Sequence, residues 1–65
     1  MKQYIYTFKN NNFDEKIDVR NISSSDFHWC LKLIQISNET PIYKKHHNCK
    51  TARKLLTDHF PEYLI

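Results

Sequence analysis

The 65-residue chain contains no glycine, and it has two prolines and two cysteines. Without glycine it has neither a Walker phosphate-binding loop nor the glycine-rich turn of a dinucleotide-binding fold, since both need backbone conformations that glycine adopts most easily. No apolar run is long enough to span a bilayer, and no signal peptide is visible. We therefore expect a cytoplasmic protein with reduced thiols, built as one small domain over residues 1–65 because so short a chain cannot bury a second core.

The charged residues are unevenly distributed along the chain. Residues 1–40 hold five basic and five acidic side chains, whereas residues 41–65 hold five basic and two acidic ones, which gives the net charge of +3. The five cations of the second part all lie between positions 44 and 54: Lys44, Lys45, Lys50, Arg53 and Lys54. A basic run of this kind predicts a docking surface for an acidic protein or for the phosphate backbone of a nucleic acid.

The first third of the chain predicts an antiparallel hairpin over residues 3–22. Polar and apolar residues alternate in two segments, which is typical of half-buried strands. The residues expected on the apolar face are Tyr4, Tyr6 and Phe8 in the first segment and Phe13, Ile17 and Val19 in the second. The run Asn10-Asn11-Asn12 between them fits a turn, because asparagine tolerates positive φ better than most residues.

A helix of about residues 24–37 is expected next. Ser23 fits its N-cap, and Asp26 occupies the third helical position, as in a capping box. The helix carries two apolar stripes, one of Phe27, Cys30, Leu31 and Ile34, the other of Trp29, Leu33 and Ile36. A helix that is apolar on two sides needs cover on both. The second stripe is therefore expected to meet the C-terminal element, a second copy of the chain or a partner.

Two interpretations fit the segment after Pro41. Either residues 42–45 form a short third strand and a helix begins with Asn48 as its cap, or Thr40 caps one long helix with Pro41 in its first position. Both place a C-terminal helix over about residues 48–60, whose apolar residues keep helical spacing. We predict an α+β fold in which the hairpin packs against a central helix and a basic C-terminal helix follows.

The histidines and cysteines do not match a known metal-binding motif. His46 and Cys49 would share one face of a helix, whereas His28 and Cys30 would diverge on theirs, and no C-x-x-C pair is present. Cys30 lies on the predicted core stripe, where a thiol is inert. We therefore expect no metal, no cofactor and no catalytic residue, and hence a protein that is not an enzyme.

Three segments define the layout of the first 37 residues. They are Met1-Lys2-Gln3-Tyr4-Ile5-Tyr6 at the start, Ile17-Asp18-Val19 at the end of the hairpin and Ser23-Ser24-Ser25-Asp26 at the opening of the helix. This layout resembles the small phage-encoded anti-defence inhibitors, anti-CRISPR proteins among them, that are built as a hairpin followed by one helix. The resemblance implies a protein that binds a host macromolecule and blocks it sterically, without turnover.

We therefore expect a small binding protein that docks on a host protein or nucleoprotein complex with an acidic surface. Its expected contact residues are Tyr43, Lys44, Lys45, Lys50, Arg53 and Lys54, with Tyr63 as a second aromatic anchor. One alternative is a nucleic-acid-binding module that uses the same basic surface. Another is a structural homodimer that closes over Trp29, Leu33 and Ile36.

Overall fold

The structure, a computed structural model, describes residues 3–64. Within these residues a two-stranded antiparallel hairpin and two α-helices form an α+β fold. The strands are β1 (Ile5–Lys9) and β2 (Asp14–Asp18), and the helices are α1 (Ser24–Glu39) and α2 (His47–His59). Short 3-10 helices occupy Val19–Asn21, Pro41–Lys45 and Pro61–Leu64.

The hairpin buries one face, as the alternation predicts. β1 and β2 pair with Tyr6 opposite Ile17, and directly opposed residues point to the same face. Tyr6, Phe8 and Ile17 are accordingly buried in the core. Two residues expected on this face are exposed instead. Phe13, at 64%, lies at the turn before the first paired residue of β2, and Tyr4, at 46%, lies before the first residue of β1.

The asparagine turn closes without the backbone conformation expected of it. The Asn10 N–H donates to the Phe13 carbonyl at 3.0 Å, which leaves Asn11 and Asn12 as a two-residue connection. No residue in the described part of the chain has a positive φ. The asparagines therefore form this turn without any of them adopting the left-handed backbone conformation.

The predicted start of α1 is confirmed. The Ser23 hydroxyl accepts a hydrogen bond from the Asp26 N–H at 3.1 Å. The helix runs to Glu39, two residues beyond the expected end, and it stops at Thr40, whose extended backbone is what a following proline requires. Along the second apolar stripe, Trp29 packs on Phe8 with ring centroids 4.9 Å apart.

Residues 41–45 form neither a third strand nor part of one long helix. They form a 3-10 helix with Pro41 in its first turn, where the fixed φ of proline favours helical geometry. His46 then returns to an extended conformation, which separates this turn from α2. Its Nδ1 accepts a hydrogen bond from the Asn48 N–H at 3.3 Å, so His46 caps α2 in the place expected of Asn48.

The core lies between the hairpin and the two helices. Its buried residues are Tyr6, Phe8, Ile17, Val19, Cys30, Ile34, Ala52, Leu55 and Leu56. Polar side chains attach α2 to β1 at three places. The Tyr6 hydroxyl donates to Asp58 Oδ2 at 2.8 Å, the Asn48 amide binds the backbone of Lys9, and His47 Nε2 hydrogen-bonds the Thr7 carbonyl at 3.1 Å. The hairpin and α2 therefore position each other.

Candidate functional site

An open cleft lies where the 3-10 helix Pro41–Lys45 packs against α1 and α2. It has a volume of about 390 Å³, and we call it the cleft; its walls are formed by Leu33, Ile36, Tyr43, His46 and Cys49. Ile36 and Tyr43 are 41% and 46% exposed, so apolar surface remains open to solvent. A volume of this order, at the low end of the usual ligand range that starts at about 300 Å³, accommodates one or two apolar side chains.

The break at Pro41 creates the cleft. The chain leaves α1 at Thr40 and turns back in a 3-10 helix, in which the Tyr43 N–H donates to the Thr40 carbonyl at 2.9 Å. The next bond runs from the His46 N–H to the Tyr43 carbonyl at 3.0 Å. Tyr43 on this turn and Ile36 in the C-terminal half of α1 are thereby brought to the same cleft, which both of them line.

Exposed lysines are the sequence neighbours of two residues that line the cleft. Lys44 and Lys45 directly follow Tyr43, and Lys50 directly follows Cys49; we call these three the cleft lysines. They and Lys54, one turn beyond Lys50, are exposed, and none makes an ion pair within residues 3–64. Positions 40–57 contain no acidic residue. This part of the chain therefore carries five formal positive charges and no negative one.

Arg53, which the sequence places in the basic surface, binds α1 instead of pointing freely to solvent. Its Nη2 donates to Ser37 Oγ at 3.0 Å and to Asn38 Oδ1 at 3.2 Å. Ser37 is fully buried, and its hydroxyl donates to the Ile34 carbonyl at 2.7 Å. Arg53 thus joins α2 to the end of α1, a role that the charge pattern alone does not reveal.

The two thiols are held in their protonated form. Cys49 lies at the cleft and donates to the Leu33 carbonyl at 3.6 Å; burial raises its pKa, although the nearby charge of Arg53 acts in the opposite direction. Cys30 is fully buried, and burial raises its pKa to about 11, with a smaller effect from the charge of Asp26. Thiols in this state are poor nucleophiles. Within residues 3–64, no cluster of three or more histidine, cysteine or acidic side chains could hold a metal ion.

His46 is a site residue that the charge pattern does not identify. Its Nδ1 accepts the Asn48 N–H, so the neutral ring carries its proton on Nε2. His46 also lines a second open concavity, of about 640 Å³, beside the hairpin turn. We call it the turn concavity; its lining consists of Lys9, Asn10, Asn11, Asn12, Phe13, His46 and Asn48.

Tyr63, the second expected anchor, lies away from the cleft. Its ring packs against Phe27 at the beginning of α1, with centroids 4.9 Å apart in a T-shaped arrangement. The cleft residue Ile36 lies nine positions further along the same helix, which corresponds to roughly 14 Å at 1.5 Å per residue. The structure therefore does not bring Tyr43 and Tyr63 together.

No protein family, curated protein or solved structure matches this chain. Of the helices in residues 3–64, none combines the length and the apolar character needed to cross a membrane. The cleft combines apolar walls with three exposed lysines that adjoin its lining residues in sequence. Such a combination suits a partner that presents an apolar side chain among acidic ones.

Proposed function

We propose that this chain is a small non-enzymatic binding protein that docks on an acidic segment of a partner protein. The observation that carries the proposal is the apolar cleft with the cleft lysines beside it. An apolar side chain of the partner inserted into the cleft would supply most of the affinity, as buried anchors do in interfaces. The lysines would attract the acidic segment and fix its direction, since charges at the edge of an interface act mainly on association rate and specificity.

The site favours a protein over a nucleic acid. A phosphate backbone offers no apolar side chain for the walls formed by Leu33 and Ile36. Arginine is the residue best suited to phosphate, but the guanidinium of Arg53 already donates to α1. Direct nucleic-acid binding, the alternative from the basic run, is therefore an outcome that the experiment below must exclude.

The charges also favour a different protein over a second copy of the chain. A homodimer closing over the second stripe of α1 would place the cleft lysines of both copies at one interface, where like charges repel. Part of that stripe is already covered, because Trp29 packs on Phe8. Ile36 remains exposed as a wall of the cleft.

The biological role that we propose is inhibition by occupancy. The resemblance of the first 37 residues to the hairpin-and-helix layout of phage-encoded anti-defence inhibitors is the support for this role, in which the protein would act in the host cytoplasm by covering a surface of a host defence protein. Such an inhibitor forms a stoichiometric complex and consumes nothing. Titration of the purified partner's activity should therefore end at one inhibitor per binding site, whereas complete inhibition at a small fraction of that ratio would contradict the proposal.

The docking proposal is tested by selecting binders from a displayed library of random twelve-residue peptides on the immobilised protein. We expect selected peptides to combine one aliphatic or aromatic residue with flanking aspartate or glutamate. Lys45→Glu and Lys50→Glu should each weaken the binding of a selected peptide about three- to tenfold, with most of the loss in association rate. Arg53 is left unchanged, because its replacement would disturb the contact between the helices.

Lys16→Glu is the matched control, because it changes the net charge equally on β2, at an exposed position outside the cleft. It should leave peptide binding nearly unchanged. Selected peptides without acidic residues, or equal losses in the control, would contradict the proposal. So would salt-sensitive binding of single-stranded or duplex DNA that Lys45→Glu and Lys50→Glu abolish.

A further inference from the structure

We infer that the docking surface extends from the cleft across His46 to the asparagine turn, and that its occupant is an extended acidic peptide segment whose backbone binds the side-chain amides of Asn11 and Asn12. This inference rests on the proposed function, since it names the conformation and the reach of the same partner segment.

The cleft and the turn concavity are neighbours. His46 lines both of them, so a chain that leaves the cleft across this residue enters the turn concavity directly. Each contains an exposed aromatic side chain, Tyr43 in the cleft and Phe13 at the turn, with 46% and 64% exposure. An extended segment crossing His46 would cover apolar surface on both sides of the ring.

The asparagine side chains at the turn are free to bind a peptide backbone. Asn10, Asn11 and Asn12 are exposed, and their side-chain amides make no hydrogen bond within the described part of the chain. An amide group offers one acceptor and two donors, which matches the N–H and C=O of an extended residue. Side-chain amides at this place therefore recognise backbone without depending on the partner's side chains.

The molecule already contains the contact that we propose. The Asn48 Oδ1 accepts from the Lys9 N–H at 2.7 Å, and its Nδ2 donates to the Lys9 carbonyl at 2.8 Å. Lys9 is the last residue of β1, so this amide binds an extended backbone through both of its polar groups. Asn11 and Asn12 lie two and three residues further along the chain and would make the same pair of bonds to a partner.

The partner segment cannot reach these amides by joining the sheet beside β1. Side chains of α2 already occupy the backbone groups on that edge: His47 Nε2 hydrogen-bonds the Thr7 carbonyl at 3.1 Å, and Asn48 binds both polar groups of Lys9. At this end of the molecule the partner segment is therefore bound by side chains, the amides of Asn11 and Asn12. The Nε2–H of His46 is a further donor, to a carbonyl or carboxylate of the segment.

The test uses the full chain and the most enriched acidic peptide from the library selection. The double substitution Asn11→Ala with Asn12→Ala removes the proposed hydrogen bonds to the peptide backbone. It should therefore raise the Kd of the peptide about tenfold. In nitrogen–proton correlation spectra, amide resonances of residues 10–13 and 43–49 should both shift on titration. Ser24→Ala with Ser25→Ala, an exposed polar pair at the start of α1, is the matched control.

A modified peptide provides a second measurement on the unsubstituted protein. Methylation of the backbone nitrogen next to the apolar anchor, on the side that faces the turn, should weaken binding to the unsubstituted protein about tenfold. The same methylation should weaken binding to the asparagine variant only slightly, because the hydrogen bond that it blocks is already absent there. Unchanged affinity of the asparagine variant, with shifts confined to residues 43–49, would overturn this inference and leave the proposed function standing. A selection that yields no acidic peptides would overturn the proposed function and this inference together.

Discussion

Asn48 shows how one side chain can replace a strand partner. Its amide satisfies both backbone groups of Lys9 from a position that is 7% exposed, and it thereby fixes the first turn of α2 against the hairpin. A short polar residue next to two histidines indicates a helix cap in the sequence. The structure assigns the cap to His46 and gives Asn48 a contact 39 residues away, which local patterns do not encode.

Replacing Asn48 should therefore cost more than the loss of a helix cap. Asn48→Ala removes two hydrogen bonds and leaves the Lys9 backbone groups without partners, so we expect a loss of about 2–3 kcal/mol in the free energy of unfolding. Asn48→Asp should be at least as destabilising near neutral pH, because a carboxylate oxygen would then face the Lys9 carbonyl. Urea denaturation checks both variants, and Asn48→Asp should recover relative to the unsubstituted protein at low pH, where the protonated acid again donates. Asn48→Ala within about 0.5 kcal/mol of the unsubstituted protein would contradict this account.

The two thiols should differ in reactivity although both are buried. Burial raises the pKa of Cys30 to about 11, so about one molecule in a thousand carries the thiolate at pH 8. Cys49 should be alkylated more easily, because it borders the open cleft. Burial raises the pKa of its thiol as well, but the charge of Arg53 opposes that rise. Iodoacetamide labelling of the native protein, followed by mass spectrometry, should modify Cys49 first, and Cys30 only at the rate of unfolding. Equal labelling rates under native conditions would show that the Cys30 side of the core opens more easily than its burial implies.

The contact between β1 and α2 also depends on the Tyr6 hydroxyl. It donates to Asp58 Oδ2 at 2.8 Å from a ring that is 1% exposed, and burial, with the hydrogen bond and the charge of Asp58, raises the Tyr6 pKa above its ordinary value of 10.0. The folded state therefore favours the protonated phenol. This contribution to stability is fully present below pH 10 and is lost as pH rises above it.

Tyr6→Phe should thus lower the free energy of unfolding by about 2 kcal/mol near neutral pH, the usual worth of a hydrogen bond to a charged group. It should also make stability fall less steeply above pH 10, although the raised pKa of Cys30 leaves part of the alkaline loss in place. Tyr4→Phe is the control, because Tyr4 is 46% exposed and its side chain contacts His59 and Arg20 through the ring, which the substitution keeps. Denaturant unfolding between pH 7 and pH 11 measures both effects, and an identical alkaline slope in Tyr6→Phe and the unsubstituted protein would contradict the assignment.

Periodicity and capping predict the regular elements because those signals are local. The alternation around Tyr6 and the Ser23 cap are satisfied within a few residues, and the hairpin and α1 form as expected. The segment after Pro41 is different, since proline is compatible with a strand start and with a first helical turn. The segment forms a 3-10 helix that places Tyr43 at the cleft beside two other elements, an arrangement that local signals in the sequence do not specify.

The candidate site divides in the same way. The charge asymmetry predicts the exposed lysines, because charge is a property of the sequence itself. The cleft depends on three separate elements meeting, and the removal of Arg53 from the open surface depends on a bond to the buried Ser37. The sequence therefore predicts which part of the chain is basic, and the tertiary structure determines which of those cations face a partner.

Two exposed tyrosines near opposite ends of α1 provide the last prediction. Tyr63 packs on Phe27 and Phe60, so Tyr63→Ala should lower the free energy of unfolding by about 1–3 kcal/mol, the sum for two aromatic pairs, and leave peptide binding unchanged. Tyr43→Ala should act mainly on binding. It removes a wall of the cleft, so it should weaken binding of the selected acidic peptide about tenfold or more and lower the free energy of unfolding less than Tyr63→Ala does. Thermal unfolding and fluorescence anisotropy of the labelled peptide separate the two effects. If Tyr63→Ala weakens binding as much as Tyr43→Ala does, the partner contacts the other end of the molecule, and the cleft is not its docking site.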